Sequence, residues 1–392
     1  MKTLHLFNHY LPQTENWAYN LIVNLPDTKV FIGAKHYLKY NFYHPAFTCY
    51  EHPFGEMEQQ YRRWDKHRPV DFLKKVGFKA VQPFLGDMRA GLYRFAKEKE
   101  IDLVHAHFAD VGWYFRSISK KLDVPFMVSF YGWDYSSLPN RFPIYKQRFK
   151  QLFSMADLFL CEGEYGAEKL VRMGCPSEKV KVQRLGVLSL EIPTFNRKKE
   201  KNQLQLLQVA SFSEKKGHIY TVKAFEKALL QCPKLHLTLV GGETFSGIKS
   251  RIEKFILERD LQDNVTILDQ LDYNELYAYL ADFHVLIHPS CHAIDGDCEG
   301  GAPIILLDAQ ATGMPIISTT HCDIPSEVIH QKTGLLTPEN DVDLLAESIR
   351  SFYEMDNEQF QSFSQAAVRH VSKEFNINSN ARHLKAIYDL MV

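Results

Sequence analysis

Short apolar runs alternate with helical patterns from one end of the chain to the other. Ile101–His107, Val124–Phe130, Leu158–Cys161, Leu204–Val209, Leu235–Val240, Asn264–Leu268 and Val285–His288 read as strands. Apolar runs this short and this continuous are buried on both faces, the habit of parallel strands covered by helices, so the cadence predicts parallel α/β sheets. The polar segment Ile192 to Gln203, with Asn196-Arg197-Lys198-Lys199-Glu200-Lys201 at its centre, separates two such sets and predicts a linker. Two Rossmann-like domains facing a cleft follow, residues 1–191 and 204–370.

Ligands of open α/β sheets gather where strands end, so the polar residues closing each run carry the candidate chemistry. The Leu103-Val104 run closes on His105-Ala106-His107, and the Phe126–Phe130 run on Tyr131-Gly132-Trp133-Asp134. Leu206–Val209 leads to Ser211 through His218, with Lys215-Lys216-Gly217 inside, and Leu237–Val240 ends in Gly241-Gly242-Glu243. The richest stretch is Gly296 to Ala309, running on to Gly313-Met314-Pro315. It combines an acid loop with Glu299, the turn Gly300-Gly301-Ala302, Pro303 at the first helical position, and Asp308 about one and a half turns in. Gly313 stops that helix, which spans little beyond Pro303 to Thr312, before the apolar strand Ile316–Thr319. Free N–H groups behind a glycine turn favour a phosphate or diphosphate. A well-capped helix with a solvated acidic loop is the plainer alternative.

Composition narrows the class. The 392 residues are 45% apolar and 24% charged, as in ordinary globular chains. No apolar run approaches a membrane span and no secretory core follows the start, so a cytoplasmic protein is expected. Seven scattered cysteines fit reduced thiols better than a disulfide framework. Residues 1–190 hold 27 Lys+Arg against 19 Asp+Glu, and the remainder 19 against 28. The basic half interleaves aromatics in Tyr61 to Arg68 and in Arg141 to Lys150, which suits an anionic membrane surface; solvated helix faces explain the same pattern. No nucleic-acid-binding module accompanies it, so nucleic acid is not an expected partner.

In order and spacing these motifs resemble family 4 of the retaining glycosyltransferases, with the two-domain GT-B fold, and within it the enzymes of exopolysaccharide and capsule assembly. The similarity runs from His105-Ala106-His107-Phe108 and Tyr131-Gly132-Trp133-Asp134, through Lys179 to Val187, Lys215-Lys216-Gly217 and Val240-Gly241-Gly242, to the Asp295–Pro315 stretch, Ile324 to Glu327 and Gly334-Leu335-Leu336. The resemblance implies transfer of a sugar from a UDP- or GDP-linked donor to a saccharide or lipid-linked acceptor, with no cofactor and no metal. It implies that Glu299, Lys216 and His107 act on the reacting groups. Donor binding falls to Asp308, Gly300, Gly301, Ala302, Pro303, Glu243, Lys215 and Arg184, and acceptor binding to Tyr131, Trp133, Asp134, Glu15 and Asn16. It also implies that residues 371–392 cross back to the first domain, through a helix over Ser379–Met391.

The chain departs from the family pattern. Eight residues, not seven, separate Glu299 from its partner acid; that acid is Asp308 rather than Glu; and Tyr131 stands where histidine is usual. Ser211 replaces an arginine, leaving Lys215 or Arg184 to supply the missing positive charge. An inactive scaffold that binds sugar nucleotide or a partner enzyme is the alternative these departures raise. Two other motifs are set aside. Gly242 to Ser250 resembles a phosphate loop but inserts Ile248 between glycine and lysine. His284, His288, Cys291, His292, Cys298, His321 and Cys322 crowd one region, yet their spacings match no standard zinc set.

Overall fold

A computed structural model describes residues 1–10, 12, 16–38, 47–51, 68–81, 88–244 and 247–392. Glu15, most of the basic stretch Tyr61–Arg68, and Phe245 and Ser246 of the phosphate-loop-like segment lie outside the described residues.

The continuous apolar runs form two all-parallel sheets. The first holds β1 (Lys2–Tyr10), β2 (Lys29–Tyr37), β3 (Thr48–Tyr50), β4 (Leu103–His107), β5 (Phe126–Phe130), β6 (Leu158–Cys161) and β7 (Val180–Val182), in the order β3-β2-β1-β4-β5-β6-β7. The second holds β8 (Leu204–Val209), β9 (Leu235–Val240), β10 (Val265–Leu268), β11 (Val285–His288), β12 (Ile316–Thr319) and β13 (Gly334–Thr337), in the order β10-β9-β8-β11-β12-β13. Each order reverses once, between β1 and β4 and between β8 and β11. Helices cover both faces, which is why β4, β5, β6 and β11 are buried at every position. Strand order opens a crevice at each reversal, beyond the carboxyl ends of the flanking strands.

The last helix, Ile377–Asp389, follows Asn376, whose side chain caps it by accepting from the amides of Asn378 and Ser379. Its buried face, Ile377, Ala381, Leu384, Ile387 and Tyr388, joins the first-domain cluster formed by Leu21 and Ile22 of the helix Asn16–Val23 with Leu103 and Met127 of the first sheet. The Tyr388 hydroxyl reaches His105 Nδ1 at 2.6 Å. The preceding helix, Asn357–Glu374, packs instead on the second domain, where Ser364 Oγ donates to the Gly313 carbonyl at 2.7 Å.

The lysine-rich connection is not the solvated tether its composition predicts. Arg197 and Lys199 are 4% and 3% exposed. Arg197 donates to the carbonyls of Leu280, Ala281 and Phe283 at the end of the helix Tyr273–Leu280, and to Thr312 Oγ1. Lys199 Nζ donates to the carbonyls of Tyr353 and Met355. Helix ends leave carbonyls without donors, and a cation there matches both the missing bonds and the dipole. Burial draws Arg197 down to about 10 and Lys199 to about 8, yet both stay mainly charged at neutral pH. Arg197→Ala therefore strands buried carbonyls. A loss of about 3 kcal/mol is expected, read as a lower denaturation midpoint of the second domain.

Candidate functional site

The reversal between β8 and β11 brings the lysine turn and the acid loop together. After β8 the chain forms a single tight turn, Glu214–Lys216, closed by Gly217 at φ +69°. A side chain at Gly217 would lie 1.9 Å from the Pro289 carbonyl oxygen, so the turn after β8 can press on the loop after β11 only because that position is glycine. Gln208 Nε2 fixes the turn by donating to the Lys216 carbonyl at 2.8 Å.

Lys216 Nζ lies 2.7 Å from Glu299 Oε2, and Ser290 donates to Oε1 at 2.9 Å. Lys215 Nζ donates to the Cys298 carbonyl at 3.0 Å and stands 3.3 Å from Asp297. His321 accepts the Glu299 amide at 3.1 Å. Burial alone would raise the Glu299 pKa, but Lys216, Lys215 and His288 outweigh it and bring the carboxyl down to about 2. Burial likewise opposes the Lys215 ammonium, and Glu299 and Asp297 reverse that, holding it above the ordinary lysine value. The result is a fixed anion beside two fixed cations in a largely dry setting.

The helix after the loop spans Ile305–Ala311. Pro303 therefore precedes the helix instead of opening it: Leu306 bonds back to the Pro303 carbonyl in a tighter i→i+3 turn, and the α pattern starts from Ile304. Asp308 sits in the first turn, 1% exposed, accepting from the Tyr277 hydroxyl at 2.9 Å. Gly313 ends the helix at φ +82°. Glu243 lines a cleft of about 270 Å³ beside Ser211, Gly241, Gly242 and Gln270, at the carboxyl ends of β8 and β9.

The first domain grips the same loop. A side chain at Gly300, φ +86°, would lie 2.0 Å from Gly132 Cα, so the domains touch backbone to backbone. Arg141 pairs with Asp295 at 2.8 Å, and Asp323 Oδ1 accepts the Tyr165 amide at 2.9 Å. Gly301 lies against the Glu162 carboxyl, which burial and Asp323 raise to about 8.

Several expected residues are placed differently. Asp134 is fully buried, and its oxygens accept the amides of Ala109 and Tyr131, both at 2.7 Å. It caps two turns and has no face open to an acceptor. His107 is also fully buried, stacked 4.4 Å from Phe7, with Nε2 on His5 at 3.0 Å and Nδ1 on the Tyr131 hydroxyl at 2.7 Å. Burial, with His105 and His5 adding to it, holds it well below the ordinary imidazole value, so the ring is neutral. It orients Tyr131 and does not face the cleft. Arg184 pairs with Glu374 at 3.3 Å, just before the crossing segment. Trp133 does line a cavity, about 240 Å³, with Phe7, Asn8, His9, Phe108 and Asp110. Asn16 opens the helix Asn16–Val23. Asn8, His9 and Asp110 were missed, though the signal was available: Asn8 and His9 break the apolar pattern at the end of β1, and Asp110 follows β4. Glu162 had no motif to mark it, whereas His288-Pro289-Ser290, closing the Val285–His288 run, belongs to the family resemblance.

Two family models divide the chain: Glycosyltransferase Family 4 matches residues 49–187 and Glycosyl transferases group 1 matches residues 192–370. The chain belongs to the family 4 glycosyltransferases. The protein assigned to colanic acid biosynthesis as the glycosyltransferase WcaL of Salmonella typhimurium is 28% identical over 83% of this chain and 85% of its own length. The amylovoran biosynthesis glycosyltransferase AmsK of Erwinia amylovora is 32% identical over 52% of this chain and 49% of its own length. Among solved structures, Anabaena HepE in complex with UDP superposes with a TM-score of 0.76 at 16% identity, covering both chains fully. Sucrose-phosphate synthase of Thermosynechococcus elongatus gives 0.70 at 16% identity over 100% of this chain and 99% of its own. These likenesses are of fold, and the fold is GT-B.

The ion pair carries a pH signature. The Glu299 pKa is lowered on folding, so the pair contributes stability at pH above the ordinary 4.5 and loses it as pH falls through about 2. Lys216→Met removes the nearest cation and should raise the acid-unfolding midpoint, at a cost of up to about 3 kcal/mol at neutral pH. Circular dichroism during acid titration reads both.

Proposed function

We propose that this glycosyltransferase moves a hexosyl unit, with retention at the anomeric carbon, from a UDP- or GDP-linked donor in the second domain to a saccharide or lipid-linked acceptor in the first. The product is a cell-surface polysaccharide. The observation that carries this reading is the convergence of Lys216 and Glu299 at the strand reversal, next to the Glu243-lined cleft. The exopolysaccharide role rests on the names of the WcaL and AmsK relatives, and the nucleotide-sugar donor on the UDP in the HepE structure.

The chemistry fits the residues. As the glycosidic bond breaks, negative charge grows on the departing diphosphate, and a preset ammonium stabilises it without waiting for solvent to reorganise. Lys216 supplies that ammonium, with Lys215 and the amides around Gly301 and Ala302 nearby. Positive charge grows at the sugar, where the Glu299 carboxylate, ionised throughout the working range, stabilises it. Asp308 and Glu243 serve the nucleotide, and Tyr131, its hydroxyl held by His107, backs the cleft from the opposite domain. The acceptor takes the cavity walled by Trp133, His9 and Asp110. Contact between Gly132 and Gly300 shields the donor from water.

Lys216→Ala is expected to weaken UDP affinity in calorimetry, whereas Glu299→Gln lowers kcat by about 100-fold or more with UDP affinity nearly unchanged. Equal, mild effects from both would defeat these roles. Absence of even slow donor hydrolysis across a nucleotide-sugar panel would favour the scaffold alternative. Proton NMR of the first-formed product reads the anomeric configuration, and inversion would sink retention.

The proposal extends to location: the first domain rests on the anionic inner face of the membrane. No helix among the described residues is long and apolar enough to cross a bilayer. The helix Pro69–Val81, however, exposes Val70, Phe72, Leu73 and Val76 beside Lys74 and Lys75, and Phe142 and Ile144 are exposed next to Arg141. Apolar side chains set among cations suit the headgroup boundary. The chain should sediment with vesicles rich in phosphatidylglycerol, and Phe72→Glu with Leu73→Glu should abolish this. No preference over neutral vesicles would remove the membrane from the account.

A further inference from the structure

The acid loop carries a second cluster that sugar transfer does not use. His292, Cys298 and Cys322 bring one ligand atom each to within 4.8 Å of one another. Their separation along the chain matches no zinc motif, and it is the fold that collects them. Because β11 and β12 are neighbours, the loops that follow them leave from the same sheet edge. Tetrahedral coordination at about 2.3 Å to sulfur and 2.0–2.1 Å to nitrogen sets ligand spacings of roughly 3.5–3.8 Å, inside that span.

Glu339 prepares the histidine for such a role. Its carboxylate oxygens lie 3.0 and 3.1 Å from His292 Nδ1, and Oε2 accepts the His292 amide at 2.8 Å. A carboxylate only accepts, so Nδ1 carries the proton and Nε2 presents its lone pair, with the Tyr165 hydroxyl 3.2 Å away. A carboxylate behind an imidazole is the usual support of a metal-ligating histidine. Glu339 holds His321 in the same way, at 2.7 Å, and His321 Nε2 lies 3.1 Å from Cys322 Sγ.

We propose that His292 Nε2, Cys298 Sγ and Cys322 Sγ form a binding site for a thiophilic divalent cation, zinc in the first instance, with a fourth position open to water. Binding releases the two thiol protons, forms two metal–sulfur bonds and one metal–nitrogen bond, and changes no oxidation state. The ion would tie the residue next to Glu299 to the segment after β12, setting the position of the acid loop independently of the donor.

The test uses the full chain, freed of metal by chelation in the presence of reductant and titrated with Zn2+ and, separately, Co2+. One equivalent of zinc should bind, and the cobalt form should show thiolate-to-metal charge transfer with the intense visible bands of tetrahedral geometry. Glu339→Gln should weaken zinc binding by roughly 10–100-fold, and Cys322→Ser and His292→Ala by more than that. Circular dichroism and UDP binding report whether each variant is folded. The proposal is overturned by absence of stoichiometric zinc, by affinity that Cys322→Ser and His292→Ala leave unmoved in folded protein, or by a cobalt spectrum without sulfur character. Recovery of Cys298 and Cys322 as a disulfide under reductant would overturn it as well.

Discussion

The two halves can meet only because neither has a side chain at the point of contact. Gly132 follows β5 and Gly300 follows β11; a β-carbon on either would enter the other's backbone. Around that contact Arg141 of the first domain holds Asp295 of the acid loop, and Asp323, after β12 of the second domain, caps the Tyr165 amide of the first. The loop is thus positioned by both sheets at once. Its backbone faces the first domain, while the Glu299 side chain turns back toward Lys216 in the second. A reaction that spans a cleft requires this division, because groups set by only one wall shift as the cleft opens.

Electrostatics separates the acids of this region into two states. Glu299 is buried beside two ammonium groups and stays ionised to about pH 2, whereas Glu162, buried beside Asp323, is held up at about 8 and keeps its proton at neutral pH. The same burial acts on both, and the neighbours decide the outcome. A neutral Glu162 lets Gly301 approach without adding negative charge at the glycine turn. An ionised Glu299 keeps the lysine turn docked. Two carboxyls with opposite protonation within one short loop's reach are a common arrangement where charge is managed during a reaction.

Much of this was legible in the sequence, for a definite reason. Strands buried on both faces announce themselves as apolar runs, nearly unbroken in β6 and β11 and punctuated by single polar residues in β8 and β9, so all four were read to the residue. β2 was not read at all, because Gly33, Lys35 and His36 interrupt its apolar pattern. The acid loop and lysine turn were legible because glycine, lysine and acid occur there together. The failures share a cause: each depended on a partner distant in the chain. Arg197 and Lys199 looked solvated until the helix end at Leu280 and the carbonyl of Tyr353 stood over them. Arg184 looked available until Glu374 took it. Asp134 and His107 looked like ligand-facing polar groups, and turned inward to satisfy backbone amides and a tyrosine hydroxyl. Composition gives a residue's chemistry, and only topology gives its partner.

The same reasoning bears on Ser211, whose loss of an arginine raised the inactive-scaffold alternative. Successive residues of a tight 3₁₀ turn diverge by about 120°, so Lys215 and Lys216 leave the backbone in different directions. Both nonetheless end on the acid loop, one at the Cys298 carbonyl and Asp297, the other at Glu299. The loop curls around the turn and presents acceptors on two sides. Positive charge at this point is therefore two ammonium groups from one short turn, fixed by Gly217 and by Gln208 beneath. An arginine at position 211 would have brought a third cation from a residue that instead lines the Glu243 cleft. Its absence leaves the fixed pair intact, and under the proposed function the turn itself would supply the positive charge that a departing diphosphate requires.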